Sequence, residues 1–286
     1  MIFIINPNSG AKKDAKAFAS LVQKYFPQAE IKFTERAGHA TELAAAAAAA
    51  VEDSVIACGG DGTINEVAKG LYGTNTALGI IPRGSGNGFA REIGMNLNSE
   101  RALKQLQTAK KIHSDMGRIN GELFINVAGI GIEADIAHAF ATHGKRGIWP
   151  YFKLGAKIVF SYKPKKVKVV TEGHEIEIAP LTLVFANGRQ YGTNFKIAPK
   201  ASLTDGLLDM VQVLDKNKFS LLLGLPSFFN SDFRPFNPTV VIRVKNTEVF
   251  TRGPVFYHVD GEPKQSTGDN IKVEILPASI WVLVCK

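Results

Sequence analysis

Apolar positions follow two different rhythms along this chain. Up to about residue 118, short continuous apolar runs alternate with amphipathic stretches. Residues 1–5 read as a buried strand, 6–10 as a turn, and 14–25 as a helix with Ala15, Phe18, Ala19, Val22 and Phe26 on one face. Residues 30–33 form the next strand. The stretch 41–51 holds seven consecutive alanines from Ala44, and alanine has the highest intrinsic helix propensity, so this low-complexity run is predicted helical. Strands at 54–58 and 77–81 bracket a glycine turn and a helix over 64–69. Strand alternating with helix predicts an α/β domain with a parallel, doubly wound sheet, which binds ligands in the crevice beyond the carboxyl ends of its strands.

Beyond residue 118 the rhythm becomes that of short β runs: 123–127, 166–171, 181–187, 207–214, 239–244, 255–259, 271–275 and 280–285. Helical patterns interrupt them near 134–141, 150–161 and 218–225. This predicts a β-rich, sandwich-like C-terminal domain and a division into 1–118 and 119–286, with the last strand able to return to the first domain. A length of 286 residues is enough for two cores. No segment reaches the roughly 18 apolar residues of a membrane span. Two cysteines, Cys58 and Cys285, and an N-terminus without a secretion signal point to a reducing cytoplasm.

Charge alters this picture in one place. The net charge of +8 is concentrated between Ile136 and Thr171, where there is no Asp or Glu and where Lys145, Arg146, Lys153, Lys157, Lys163, Lys165, Lys166 and Lys168 lie. Trp149, Tyr151, Phe152, Phe160 and Tyr162 are interleaved with them. Cations mixed with aromatics suit adsorption to an anionic membrane surface or a solvated helix face; without an RNA-binding motif, nucleic acid ranks last.

Candidate chemistry gathers at three strand ends. The first strand runs into Asn6-Pro7-Asn8-Ser9-Gly10, the third into Gly59-Gly60-Asp61-Gly62-Thr63, and the fourth into Pro82-Arg83-Gly84-Ser85-Gly86-Asn87-Gly88. Glycines let backbone amides converge on phosphate oxygens, and a following helix adds the positive end of its dipole. Neither a Walker P-loop nor a Rossmann fingerprint is present. The histidines His39, His113, His138, His143, His174 and His258 show no metal-ligand spacing and read as solvated or packed.

These loops, together with Asn65-Glu66, Phe89-Ala90, Asp205-Gly206-Leu207-Leu208-Asp209 and Asp260-Gly261-Glu262, resemble the diacylglycerol kinase catalytic-domain family, which includes bacterial lipid kinases, sphingosine kinases and ceramide kinases. The resemblance implies an ATP site built from Asn6, Pro7, Asn8, Ser9, Gly10, Thr34, Gly60, Asp61, Gly62, Thr63, Ile64, Asn65, Glu66 and Ser85. It implies Mg²⁺ held by Asp61, with Asp115 in the same carboxylate network. It implies Glu262 as general base, and a structural metal at Asp205 with the carbonyls of Ser202 and Leu207. Asparagine at 61 is expected to keep the loop's shape while removing its charge.

The partners that follow are ATP and a lipid at the inner face of the membrane, met through residues 145–168 by a cytoplasmic, peripheral protein; a homodimer is compatible with the chain. A kinase of a soluble hydroxyl, as in NAD kinases, and a catalytically silent nucleotide or lipid binder are the alternatives. One departure stands out: the family's Gly-Asn-Asp-Phe-Ala is Gly86-Asn87-Gly88-Phe89-Ala90 here, one carboxylate short.

Overall fold

The computed structural model describes residues 1–10, 15–143, 158, 161–192, 195–214 and 239–285, with the side chains of 140–143 excepted. The chain divides into two compact units, residues 1–116 with 190–194 and 277–286, and residues 117–189 with 195–276. The return of the last strand is accompanied by one that the sequence did not signal, the short segment 190–194.

In the first unit β1 (Ile2–Ile5), α1 (Ala15–Tyr25), β2 (Glu30–Phe33), α2 (His39–Ala49), β3 (Ser54–Gly59), α3 (Asp61–Leu71) and β4 (Ala77–Pro82) alternate along the chain. Two short helices follow, α4 (Gly88–Glu92) and α5 (Ser99–Leu106), the latter capped by Asn98, whose side chain accepts the Arg101 amide. The strands are parallel in the order β2-β1-β3-β4, and β1, β3 and β4 are buried along their whole length. Strand order reverses direction at β1 and β3, which makes the gap past their carboxyl ends a topological switch point.

The alanine run has a packing reason. A side chain at Gly70 of α3 would meet the Thr41 carbonyl at 2.5 Å and the Ala44 methyl at 2.8 Å, so α2 and α3 approach closely only through small residues. Glu66 completes this pair from α3, its carboxylate accepting the Gly38 and Ala40 amides at the start of α2 at 2.9 and 3.2 Å.

The rest of the chain supplies β5 (Lys110–Ile119), β6 (Glu122–Phe124), β7 (Val127–Gly131), α6 (Ile132–His143), β8 (Val167–Thr171), β9 (His174–Ile178), β10 (Pro180–Ala186), β11 (Leu208–Leu214), β12 (Thr239–Val244), β13 (Asn246–Phe250), β14 (Phe256–Val259), β15 (Glu262–Gln265) and β16 (Asn270–Val284). Within the second unit, the antiparallel sheet β12-β11-β10-β7-β14-β15 faces a second set of strands, β9, β8, β13 and the first part of β16. Phe185, Met210 and Val259 from one layer meet Val169, Val249 and Ile271 from the other in a single buried core. That core is the predicted sandwich.

Three sequence-predicted strands are bounded differently. The run 123–127 splits into β6 and β7 because the amides of Ile125, Asn126 and Val127 are taken by the Asp260 carboxylate at 2.9–3.0 Å instead of by a ladder. The runs 271–275 and 280–285 join into β16, which passes Pro277 through a left-handed residue, Ala278 (φ 44°). Asp115 accepts the Ala278 amide at 2.7 Å and so pins this kink. The predicted helix at 218–225, and 150–161 apart from Ile158 and Ser161, lie outside the described residues.

Candidate active site

Three loops meet at the switch point of the first unit. The loop after β1 is tied inward by Asn6, whose amide donates to the Thr63 hydroxyl at 3.0 Å while its Oδ1 accepts the Asn8 N–H at 2.9 Å. The Ser9 hydroxyl donates to the Asn6 carbonyl at 2.7 Å. The loop after β3 enters α3 through an extended Gly60 (φ −92°, ψ −173°) that has no side chain with which to cap the helix. The first-turn amides of α3 are thus the type of group that receives an anion.

The loop after β4 is packed against both. The Arg83 amide donates to the Gly59 carbonyl at 2.8 Å, and a side chain on Gly84 would stand 2.6 Å from the Gly60 Cα. Asn87, at φ 54°, closes its own loop by donating to the Gly84 carbonyl at 2.7 Å and accepting the Gly84 amide at 3.0 Å. The Asn87 and Gly88 amides then both donate to the Asp61 carboxylate, one to each oxygen, at 2.8 Å. On the far side, Gly192 lies so close to Gly86 that a side chain there would meet the Gly86 Cα at 2.6 Å.

The result is a crevice of about 570 Å³. Of the residues assigned to ATP by resemblance, Asn6, Asn8, Ser9, Gly10, Gly60, Gly62, Thr63 and Ser85 line it. Arg83 and Gly84 line it too; both stand in the third loop motif but were not assigned. Pro7, Thr34, Asp61, Ile64, Asn65 and Glu66 are not among the lining residues. Ile64 is fully buried in the core, Asn65 is 2% exposed, and Thr34 donates its amide to Ile5 at the end of β2. Glu66 is occupied at the start of α2. The Ile64 side chain thus lies in the core and the Glu66 carboxylate at the start of α2.

The expectation for Asp61 changes as well. Each of its oxygens accepts a backbone amide, so asparagine would not keep the loop's shape: its NH2 group would face an N–H donor. Asp115 is 2% exposed and sits at the β16 kink. Among the described residues no three His, Cys, Asp or Glu side chains are grouped to hold a metal ion. A magnesium ion bound mainly by phosphates and water, with one carboxylate, still fits this donor set. Beneath the loops, burial pushes the Cys58 thiol up, which keeps it protonated and inert.

In the second unit, Asp260 and Gly261 (φ 49° and 88°) form a two-residue hairpin joining β14 to β15, with Val259 opposite Glu262. Glu262 is exposed at the hairpin's end, and the Asp260 carboxylate fixes that hairpin to the start of β7. Asp205 makes an exposed turn, accepting the Leu207 amide at 3.1 Å, and Ser202 accepts the Thr204 amide at 3.4 Å. This is the hydrogen bonding of an Asp-Gly turn leading into β11. His113 stacks on Trp281 at 4.2 Å and His138 on Phe256 at 3.7 Å. Lys145, Arg146, Lys153 and Lys157 lie outside the described residues; Lys163, Lys165 and Lys166 are exposed, and Lys168 pairs with Glu175 at 3.1 Å. Among the described residues no helix is long and apolar enough to cross a membrane.

Comparison with known proteins decides the family. Residues 1–119 match the family model of the diacylglycerol kinase catalytic domain, and residues 126–284 match that of the YegS C-terminal NAD kinase beta sandwich-like domain. A diacylglycerol kinase of Bacillus subtilis is 35% identical over 221 residues, which cover 73% of this chain and 71% of that protein. The chain belongs to the diacylglycerol kinase catalytic-domain family. A Klebsiella pneumoniae protein named "Probable lipid kinase YegS-like" is 28% identical over 286 residues, covering 98% and 94% of the two chains. The fold is shared with a crystal structure of a diacylglycerol kinase from Bacillus anthracis at a TM-score of 0.74 and 22% identity, over 99% of this chain and 96% of that one. The sequence matches thus place the chain among the lipid kinases, enzymes that phosphorylate an alcohol group.

Proposed function

We propose that the chain transfers the γ-phosphate of ATP to the hydroxyl of a membrane lipid, diacylglycerol or a related lipid such as a sphingoid base. The observation that supports this most directly is the crevice at the β1/β3 switch point, where three glycine loops and an uncapped helix start converge within a family of lipid kinases. The loops of Asn6 to Gly10, Gly60 to Thr63 and Arg83 to Ser85 would bind the nucleotide and fix its phosphates by main-chain amides and small polar side chains. Mg²⁺, when bound with the phosphates, supplies charge neutralisation for the leaving group. Asp61 would orient the metal's hydration shell from behind the third loop, and Asn6 and Thr63 hold the first two loops in register. Glu262 would take the proton of the attacking lipid hydroxyl, its backbone fixed by the hairpin that Asp260 anchors. Exposed Lys163, Lys165 and Lys166 would meet anionic lipid.

A kinase assay on total membrane lipid extract, with NAD as a parallel acceptor and identification of the product, tests this reading. Phosphate on a lipid hydroxyl supports it; phosphate on NAD alone, or ATP bound without turnover, replaces it. Glu262→Gln is expected to lower kcat by about a hundredfold or more while leaving the KM for ATP and the melting temperature near wild type, since a base acts in the transition state. An unchanged rate would move the base elsewhere.

Gly88 opens α4 outside the left-handed region, so an L side chain there is not strained by its backbone, and an acid in a first helical turn meets the favourable dipole end. Gly88→Asp is expected to reduce the magnesium concentration for half-maximal rate and to favour neutral acceptors over anionic ones, because it adds a carboxylate beside Asp61. A magnesium titration and a lipid panel, read alongside thermal melting, check this. Unaltered values in a normally melting variant would exclude residue 88 from the metal's surroundings.

A further inference from the structure

Strand β12 ends the six-stranded sheet of the second unit, and among the described residues its strand neighbour is β11 alone. Side chains alternate between faces along a strand, yet Val240, Val241 and Ile242 are all exposed, at 43%, 48% and 38%. Both faces of this edge are therefore open and apolar. Every second residue also turns its backbone N–H and C=O away from β11. The strands at the other ends of the two sheets are built differently. β2 carries Glu30 and Lys32, β9 carries Glu175 and Glu177, and β15 carries Glu262, Pro263 and Lys264. Charges and proline on an edge strand discourage pairing with another chain. β12 has neither before Arg243, whose guanidinium is held by the Asp209 carboxylate of β11 at 3.5 Å.

A strand suits this edge better than a membrane does, because hydrocarbon would leave the outward N–H and C=O groups without partners. A second copy of β12 suits it best. Two identical edges meet antiparallel about a two-fold axis, and an axis at Val241 sets Val240 opposite Ile242 and Thr239 opposite Arg243. Every apolar residue of the edge then faces an apolar one, and no like charges stand opposite each other. Arg243, neutralised by Asp209 of its own chain, adds no net charge to the contact. We propose that β12 is the surface through which two copies of this chain associate, joining their six-stranded sheets edge to edge. The contact uses none of the residues that line the crevice, so it stands independently of the nucleotide reading. A single strand edge is a small interface, so the association is reversible, with an expected dissociation constant on the order of 1–100 μM.

Sedimentation velocity of the full chain across that concentration range tests the proposal, and the sedimentation coefficient is expected to rise from that of a monomer to that of a dimer. Val241→Lys sets two like charges against each other at the axis. It is expected to weaken the dimer by about tenfold or more while leaving the melting temperature of the monomer unchanged, because Val241 is exposed. Val241→Cys is expected to form a covalent dimer on mild oxidation, since residues directly opposite across a strand pair lie about 4.5–5.5 Å apart, within disulfide reach. Wild type and Ile242→Cys are expected to form none; crosslinking through Ile242→Cys instead would overturn the register. A chain that stays monomeric throughout overturns the proposal, and so does a dimer that Val241→Lys leaves intact. Hydrogen exchange at residues 240–242 should slow as the dimer forms. Equal protection in the dilute monomer would mean that the chain covers its own edge, and adsorption of a monomer to phosphatidylcholine vesicles that Val241→Lys abolishes would assign the edge to a membrane; either result overturns the pairing.

Discussion

Asp61→Asn is expected to cost the protein stability as well as turnover. The carboxylate receives the Asn87 amide on one oxygen and the Gly88 amide on the other, both at 2.8 Å, which fastens the start of α3 to the loop after β4. An asparagine offers one oxygen and one NH2, so one of the two amides faces a donor. The loss of a charge-assisted pair and the orphaning of a part-buried amide should cost about 2–4 kcal/mol. A drop in melting temperature of several degrees follows, at about 2–4 °C per kcal/mol for domains of 150–250 residues. Under the proposed function, turnover should fall by about a hundredfold or more, since loops that would position the phosphates lose their register and a bound metal would lose a carboxylate. Melting curves and single-turnover rates taken together separate the two roles. A variant that melts like wild type but fails to turn over would make Asp61 a metal residue only; one that turns over normally would remove it from the site.

Asp260→Ala is expected to have the largest effect on stability in the second unit. One carboxylate accepts the amides of Ile125, Asn126 and Val127, and the Asp260 amide in turn donates to the Val127 carbonyl at 2.9 Å. Removing it orphans three neighbouring donors, each worth about 1–3 kcal/mol when water cannot reach it. Alanine also suits the left-handed turn position poorly, at a cost of about 1–2 kcal/mol. With partial hydration of the freed amides the sum should fall near 3–5 kcal/mol. Asp260→Asn, which tolerates the backbone and keeps one oxygen, should fall between. Hydrogen exchange at residues 125–127 reads the mechanism directly: those amides should lose protection before the rest of β7. Unchanged protection and melting would mean that the carboxylate is dispensable.

The parts of this molecule that could be read from sequence are those whose cause is local. Three of the four parallel strands, β1, β3 and β4, are apolar runs, and the crevice loops at their ends are made of glycine and small polar residues, so the site lay where strand polarity and backbone permissiveness both pointed. What could not be read depends on which distant group meets which. Nothing around Glu66 tells that its carboxylate serves the start of α2, and nothing around Gly192 tells that it returns from a run of β strands to press on Gly86. The runs 271–275 and 280–285 read as two strands, while the kink at Ala278, held by Asp115, lets a single strand run through them. The helix α5 was legible but unread: Asn98 is a favourable cap, and Ala102, Leu103 and Leu106 mark its buried face. Arg83 was visible as a letter in the third loop, but that its guanidinium lies over the ring of Phe18, sixty-five positions earlier, was not.

The passage of β16 through both units bears on how such a chain can be divided, by an experimenter or by evolution. Its first part is paired antiparallel with β13 in the second unit, and its last part runs parallel to β4 in the first, with Trp281 opposite Ala77 and Val282 opposite Leu78. A fragment ending at residue 119 has the matched catalytic-domain sequence but not the strand that covers β4. It would expose an apolar β edge, a site of aggregation, and would also lack the segment that packs on Gly86. Recombination that exchanged the second unit would have to preserve the final ten residues as property of the first. The chain is therefore divided into two units but cannot be cut between them in sequence, and its last strand is as much a piece of the first unit's fold as β1 is.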